Sequence, residues 1–138
     1  LNQGAMIVSN KLHVTKERIL SYAHLSKDFN PIHVDEAFAE TTQFGSIIAH
    51  GMLSLNLLWD LLIDTFGEEA LNDLNMDVKF QRPVKVNETI QAVVHIDQCE
   101  PSAEKPGWNK YFLTVGIHNS KDEEVIKGNV GLVSEQQF

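Results

Sequence analysis

Residues 46–66 carry the strongest constraint in the chain. At 3.6 residues per turn, Ile47, Ile48, Leu53, Leu55, Leu57, Leu58, Trp59, Leu61, Leu62, Ile63 and Phe66 cover most of a helical circumference. A helix that is apolar nearly all round must be buried on nearly all sides. In a chain of 138 residues, a curved sheet wrapping the helix is the economical way to do this. His50, Asn56 and Asp60 interrupt the run, which makes it a poor membrane span and a good buried helix. Gly67 is placed to end it.

Beyond this helix the pattern changes to period two. Met76, Val78 and Phe80 alternate with Asp77, Lys79 and Gln81, and Pro83 breaks that strand. Strands follow at 89–100, 108–119 and 124–133, separated by a loop at 101–107 and a turn at 120–122. Several of them carry apolar residues on both faces, one to cover the helix and one to meet a partner subunit or lie half exposed. Ahead of the long helix, 7–13 reads as a strand. Residues 15–26 read as a helix with Thr15 as N-cap and Glu17 in its first turn. Asp35 N-caps a short helix reaching Thr42, and 68–75 is a connection with room for one helical turn. This is an α+β order with the helices on one side of an antiparallel sheet. The length fits one domain, 6–138, and residues 1–5 look like a remnant appended before Met6.

Composition narrows the function classes. A net charge of −8 argues against nucleic acid, which is held by Lys and Arg on phosphates, and against anionic membrane surfaces. The lone Cys99 excludes an internal disulfide and fits a reducing, cytoplasmic setting. No stretch has the layout of a signal peptide. The six histidines show no HxxxH or HxH spacing, so no metal site is expected. GxSxG, P-loop and GxGxxG patterns are absent, and Ser54 sits inside the helix, a poor place for a nucleophile.

The chemistry concentrates in 26–35, SKDFNPIHVD. Asp28 and His33 flank Asn30 and Pro31; the proline fixes its own φ and biases Asn30 toward extended backbone. The stretch therefore reads as a stiff loop, neither helix nor strand. A turn-forming aspartate and a surface histidine would give the same spacing. The apolar neighbours Phe29, Ile32, Val34 and Phe38 favour a cleft in which a carboxylate and an imidazole share a water and its proton. Downstream, His50-Gly51 stands near a helix start. A backbone N–H there has no intrahelical acceptor, and glycine lets a ligand carbonyl approach closely. His50 itself reads as structural more than reactive.

These segments, SKDFNPIHVDEAFA followed by FGSIIAHGML, resemble the (R)-specific enoyl-CoA hydratases, the MaoC-like branch of the hot-dog fold. FQRPV at 80–84 is similar to the same family's strand signature. The resemblance runs from about Leu12 to Val133. It implies a hot-dog domain, a long helix wrapped by a curved antiparallel sheet, that dimerises edge to edge. It implies a hydro-lyase interconverting trans-2-enoyl and (R)-3-hydroxyacyl thioesters, carried on CoA or on acyl carrier protein. Asp28 and His33 match the catalytic pair and Gly51 the main-chain donor to the thioester carbonyl. Asn30, which matches the asparagine that shapes the family's loop, Pro31 and His50 are expected to be substrate-binding residues. No metal or redox cofactor is implied. A hot-dog thioesterase and a non-catalytic acyl-thioester-binding subunit are the alternatives. Basic residues such as Lys79, Arg82, Lys85, Lys105 and Lys110 could form a carrier-docking patch. Lys27 stands where the family usually has glycine. A positive φ there would cost about 1 kcal/mol, and the reading adopted is that Lys27 sits unstrained and points to solvent.

Overall fold

The computed structural model describes residues 2–135. Strands β1 (Met6–Val8) and β2 (Leu12–His13) lead into helix α1 (Lys16–Ser26), the single-turn α2 (Pro31–Val34), the short α3 (Glu36–Glu40) and the long α4 (Gly51–Phe66). A 3₁₀ segment, Glu68–Asp73, then connects to β3 (Asn75–Phe80), β4 (Thr89–Pro101), β5 (Asn109–Asn119) and β6 (Glu124–Ser134). The sheet is antiparallel, in the order β1-β4-β5-β6-β3, with β2 also pairing to β4. The strand expected over 7–13 is thus two short ones. Between them Ser9 turns its hydroxyl to accept the Ala92 N–H at 2.9 Å, taking the place of a regular ladder bond.

The alternation read from the sequence sorts the sheet's faces. Ile90, Ala92, Val94 and Ile96 of β4 and Leu113, Val115 and Ile117 of β5 are buried against α4, with Ile126, Val130 and Leu132 of β6. A bulge between Ile96 and Gln98 shifts the register by one residue, so Cys99 is paired with the buried Tyr111. Each fully buried leucine of α4, such as Leu58 or Leu62, contributes about 2 kcal/mol through burial. Gly128 is required where β6 meets β3: a Cβ there would stand 2.6 Å from the Val78 Cα.

Two features of α4 differ from expectation. First, it is not covered on all sides. Met52, Asn56, Asp60 and Asp64 are exposed and recur every four residues, so they form one solvent-facing row along the helix. Second, it starts at Gly51, not at 46. The Val86 N–H donates to the Ile47 carbonyl at 2.9 Å, the Ala49 N–H to Val84 at 2.8 Å and the Ile48 N–H to Ile32 at 3.2 Å. Backbone groups committed to strand-like partners cannot also close helical turns. Residues 47–50 are therefore an extended strap between the Val84–Val86 segment and α2. Among the described residues no helix is long and apolar enough to cross a membrane.

Candidate active site

The site is built where α1 ends and the strap begins. Thr15 caps α1 by accepting the Arg18 N–H, and the helix runs to Ser26. Lys27 then takes φ 64° and ψ 18°, the left-handed conformation. Its side chain is exposed, but its backbone is not unstrained, which corrects the sequence reading. A helix ending this way usually uses glycine, because any Cβ there crowds the following carbonyl. The reversal carries the chain into Asp28.

Asp28 Oδ1 accepts the Asn30 N–H at 3.2 Å, and Asn30 Oδ1 accepts the Ile32 N–H at 3.2 Å. Asn30 is thereby the N-cap of α2, and Pro31 occupies its first position, where a missing N–H costs nothing. The stretch expected to be a loop thus holds one helical turn. That turn carries His33 back toward the strap. Asn30 and Pro31 act here as cap and first turn; they place the histidine.

His33 Nδ1 lies 2.8 Å from the Ile48 carbonyl. A carbonyl only accepts, so Nδ1 carries the hydrogen and Nε2 is left bare. His50 Nε2 lies 2.9 Å from the Asp28 carbonyl, so its hydrogen is on Nε2. The two rings stack at 3.9 Å with 21° between planes, and Tyr22 tilts onto His50 from α1 at 4.9 Å. His50 is 3% exposed. One ligand-type atom from each of Asp28, His33 and His50 falls within 4.8 Å of the other two. Such a trio could be taken for a metal centre. An ion bound to imidazole lies about 2.0–2.1 Å away and in the ring plane. Near-parallel rings whose centroids are 3.9 Å apart do not offer one in-plane point to both. A carboxylate and an imidazole this close, as Asp28 and His33 are, suit acid–base chemistry.

A cavity of about 340 Å³ opens beside His33 and Gly51, walled by Phe44, Ile48, Phe80 and Val84. Gly51 is the first residue of α4, and the His50 side chain makes no capping bond to it. Its N–H therefore stands at the positive end of the helix with no intrahelical acceptor. A Cβ at this position would come within 3.1 Å of the Phe80 ring, so glycine keeps the approach open. Ser54, one turn further along and 2% exposed, also lines the cavity, as does Arg82, which pairs with Glu123 at 3.1 Å. Of the residues singled out from sequence, His33 and Gly51 face this space; Asp28, Asn30, Pro31 and His50 stand behind or beside it. Sequence reading did not single out Ile48 as the anchor of His33. The signal was the β-branched pair Ile47-Ile48, which favours extended backbone.

Residues 3–110 match the family model described as the MaoC like domain. That span is most of the chain. The chain belongs to the MaoC-like family. Its relatives include an (R)-specific enoyl-CoA hydratase of Aeromonas caviae, 38% identical over 100 residues that span 70% of this chain and 75% of that protein. Another, from Rhodospirillum rubrum, carries the same name and is 35% identical over 88 residues, 64% of this chain and 61% of that protein. This MaoC-like chain therefore matches less than two thirds of the length of the second relative. The solved (R)-hydratase of A. caviae superposes with a TM-score of 0.78 and 27% identity, covering 99% of this chain and 98% of that one. The hot-dog architecture implied by the sequence is the one these neighbours share.

Proposed function

We propose that this MaoC-like domain adds water across trans-2-enoyl thioesters to give (R)-3-hydroxyacyl thioesters, and runs the reverse dehydration. The observation that carries the proposal is convergence. His33 and Gly51, whose N–H is the first of α4, line one cavity, and Asp28, beside it, has a carboxylate oxygen within 4.8 Å of a His33 ring nitrogen. The relatives' names give the reaction its stereochemical label. In this reading Asp28 and His33 hold a water. Its oxygen bonds to C3, one of its protons passes to the pair, and the pair delivers a proton to C2 as the double bond is lost. The Gly51 N–H hydrogen-bonds the thioester oxygen as charge gathers on it, an interaction worth about 3 kcal/mol in comparable sites.

The substrate is carried by CoA or by a carrier-protein pantetheine, and neither a metal nor a redox cofactor takes part. Arg82 lines the cavity and is the basic residue best placed to meet a carrier's anionic groups. Lys105 is paired with Asp73 and Lys110 lies over Phe112, away from that cavity. The working unit is a homodimer, and its setting is cytoplasmic.

The test is loss of enoyl-thioester ultraviolet absorbance with crotonyl-CoA. Asp28→Asn and His33→Ala should each lower kcat by about 10²–10⁴-fold with the fold intact. Full activity in both variants would remove the site assignment. A wild-type protein inert over several chain lengths, on CoA and on carrier protein alike, would remove the hydration reading. Activity unchanged after chelation supports the metal-free reading, and light scattering decides the dimer.

A further inference from the structure

Asp28 sits on a piece of chain with little holding it. Its own N–H donates to the Ser26 hydroxyl, and its carboxylate takes the Asn30 N–H; both bonds span two residues. The preceding residue, Lys27, is held in the left-handed region, which is costly for a non-glycine residue. Among the described residues, a single long-range hydrogen bond reaches 28–30: His50 Nε2 to the Asp28 carbonyl, across 22 positions of sequence.

His50 is an odd residue to find there. As N-cap of α4 it could turn its side chain onto its own helix, and it does not. It is buried between Tyr22 of α1 and His33 of α2, and its Nδ1 has no hydrogen-bond partner among the described residues. A nonpolar side chain would fill that space without leaving a polar atom unpaired. The retained polar ring has one visible use, the bond to Asp28. It stands two residues after Ile48, whose carbonyl fixes the ring of His33. The strap thus grips both members of the acid–base pair, one through a ring and the other through its main chain.

We propose that His50 is a positioning residue for Asp28, present as the Nε2–H tautomer, and that it acts through this main-chain bond without touching substrate. The proposal rests on the hydration reading for its kinetic consequence but not for its structural one.

Two variants of the full chain separate the bond from the packing. His50→Phe keeps the ring and removes the donor; His50→Gln removes the ring and keeps a donor of similar reach. In the crotonyl-CoA assay, His50→Phe should lower kcat by about 10²-fold and leave KM within about twofold, as a misplaced catalytic group does. His50→Gln should retain kcat to within about tenfold of wild type. A folded His50→Phe with wild-type kcat overturns the proposal, as does a His50→Gln no better than His50→Phe. Long-range nitrogen NMR of the wild type should show hydrogen on Nε2 of His50, and hydrogen on Nδ1 overturns the proposal. If His50→Phe does not fold, the tautomer and the His50→Gln rate decide. If the wild type hydrates no enoyl thioester, the hydration reading fails by itself. The tautomer, together with a shift of the Phe29 amide nitrogen between wild type and His50→Gln, then decides the positioning role.

Discussion

At the scale of single residues, Lys27 shows how a site can tolerate a local cost. Its φ of 64° places a long side chain where helix endings favour glycine. The side chain itself is exposed, so nothing packs to compensate. Lys27→Gly should therefore raise stability, by at most about 1 kcal/mol, because relief of crowding is partly offset by the freer unfolded chain. The midpoint of urea unfolding measures this, and a fall in the midpoint would show that the left-handed backbone carries no strain. Asp28 and His33 were legible as a pair because Asn-Pro between them restricts the chain so strongly. The Lys27 backbone was not legible, since lysine gives no local sign of a positive φ. The choice is made by where α1 must end for Asp28 to reach the strap.

At the scale of elements, the long strands and α1 were readable because their periodicity is set by one buried face. The strap at 47–50 was not. Its two isoleucines continue the apolar count of α4, and what makes them extended is remote: Ile32, Val84 and Val86. The one-turn α2 escaped for a similar reason, since four residues hold no period. The β5–β6 turn is a smaller case of local design. Glu123 accepts from the Asn119 side chain at 3.0 Å and pairs with Arg82. The Asn119 hydrogen bond, followed by the Arg82 charge, holds its carboxyl below the usual range. A depressed carboxyl adds stability above the unfolded value, near 4.3, and that gain is lost as pH falls through the lower folded value. The melting-temperature gap between wild type and Glu123→Gln should be present at neutral pH and close in acid. A gap that is constant from about pH 7 to about pH 3 would contradict this. Because Glu123 is at the surface, the effect should be small and weakened by salt.

At the scale of the molecule, the helical layer, the sheet and the site are joined by few pieces of chain. The strap meets the Val84–Val86 segment on one side and α2 on the other, and it runs directly into α4. Solvent reaches α4 along the row of Met52, Asn56, Asp60 and Asp64, away from the buried Leu58 and Leu62. His33 through its ring, and Asp28 through its carbonyl, are thus each tied by a hydrogen bond to the strap that leads into α4. Thermal inactivation and loss of helical circular dichroism should fall on one curve, and activity lost well below the unfolding transition would show that the site opens by itself. The same wiring reaches the amide protons. Ala49 and Val86, which bond across the strap, should exchange as slowly as the centre of β5, although both belong to segments with no regular secondary structure. A ligand seated against the Gly51 N–H would then slow exchange at the Val86 amide, a residue outside the cavity lining.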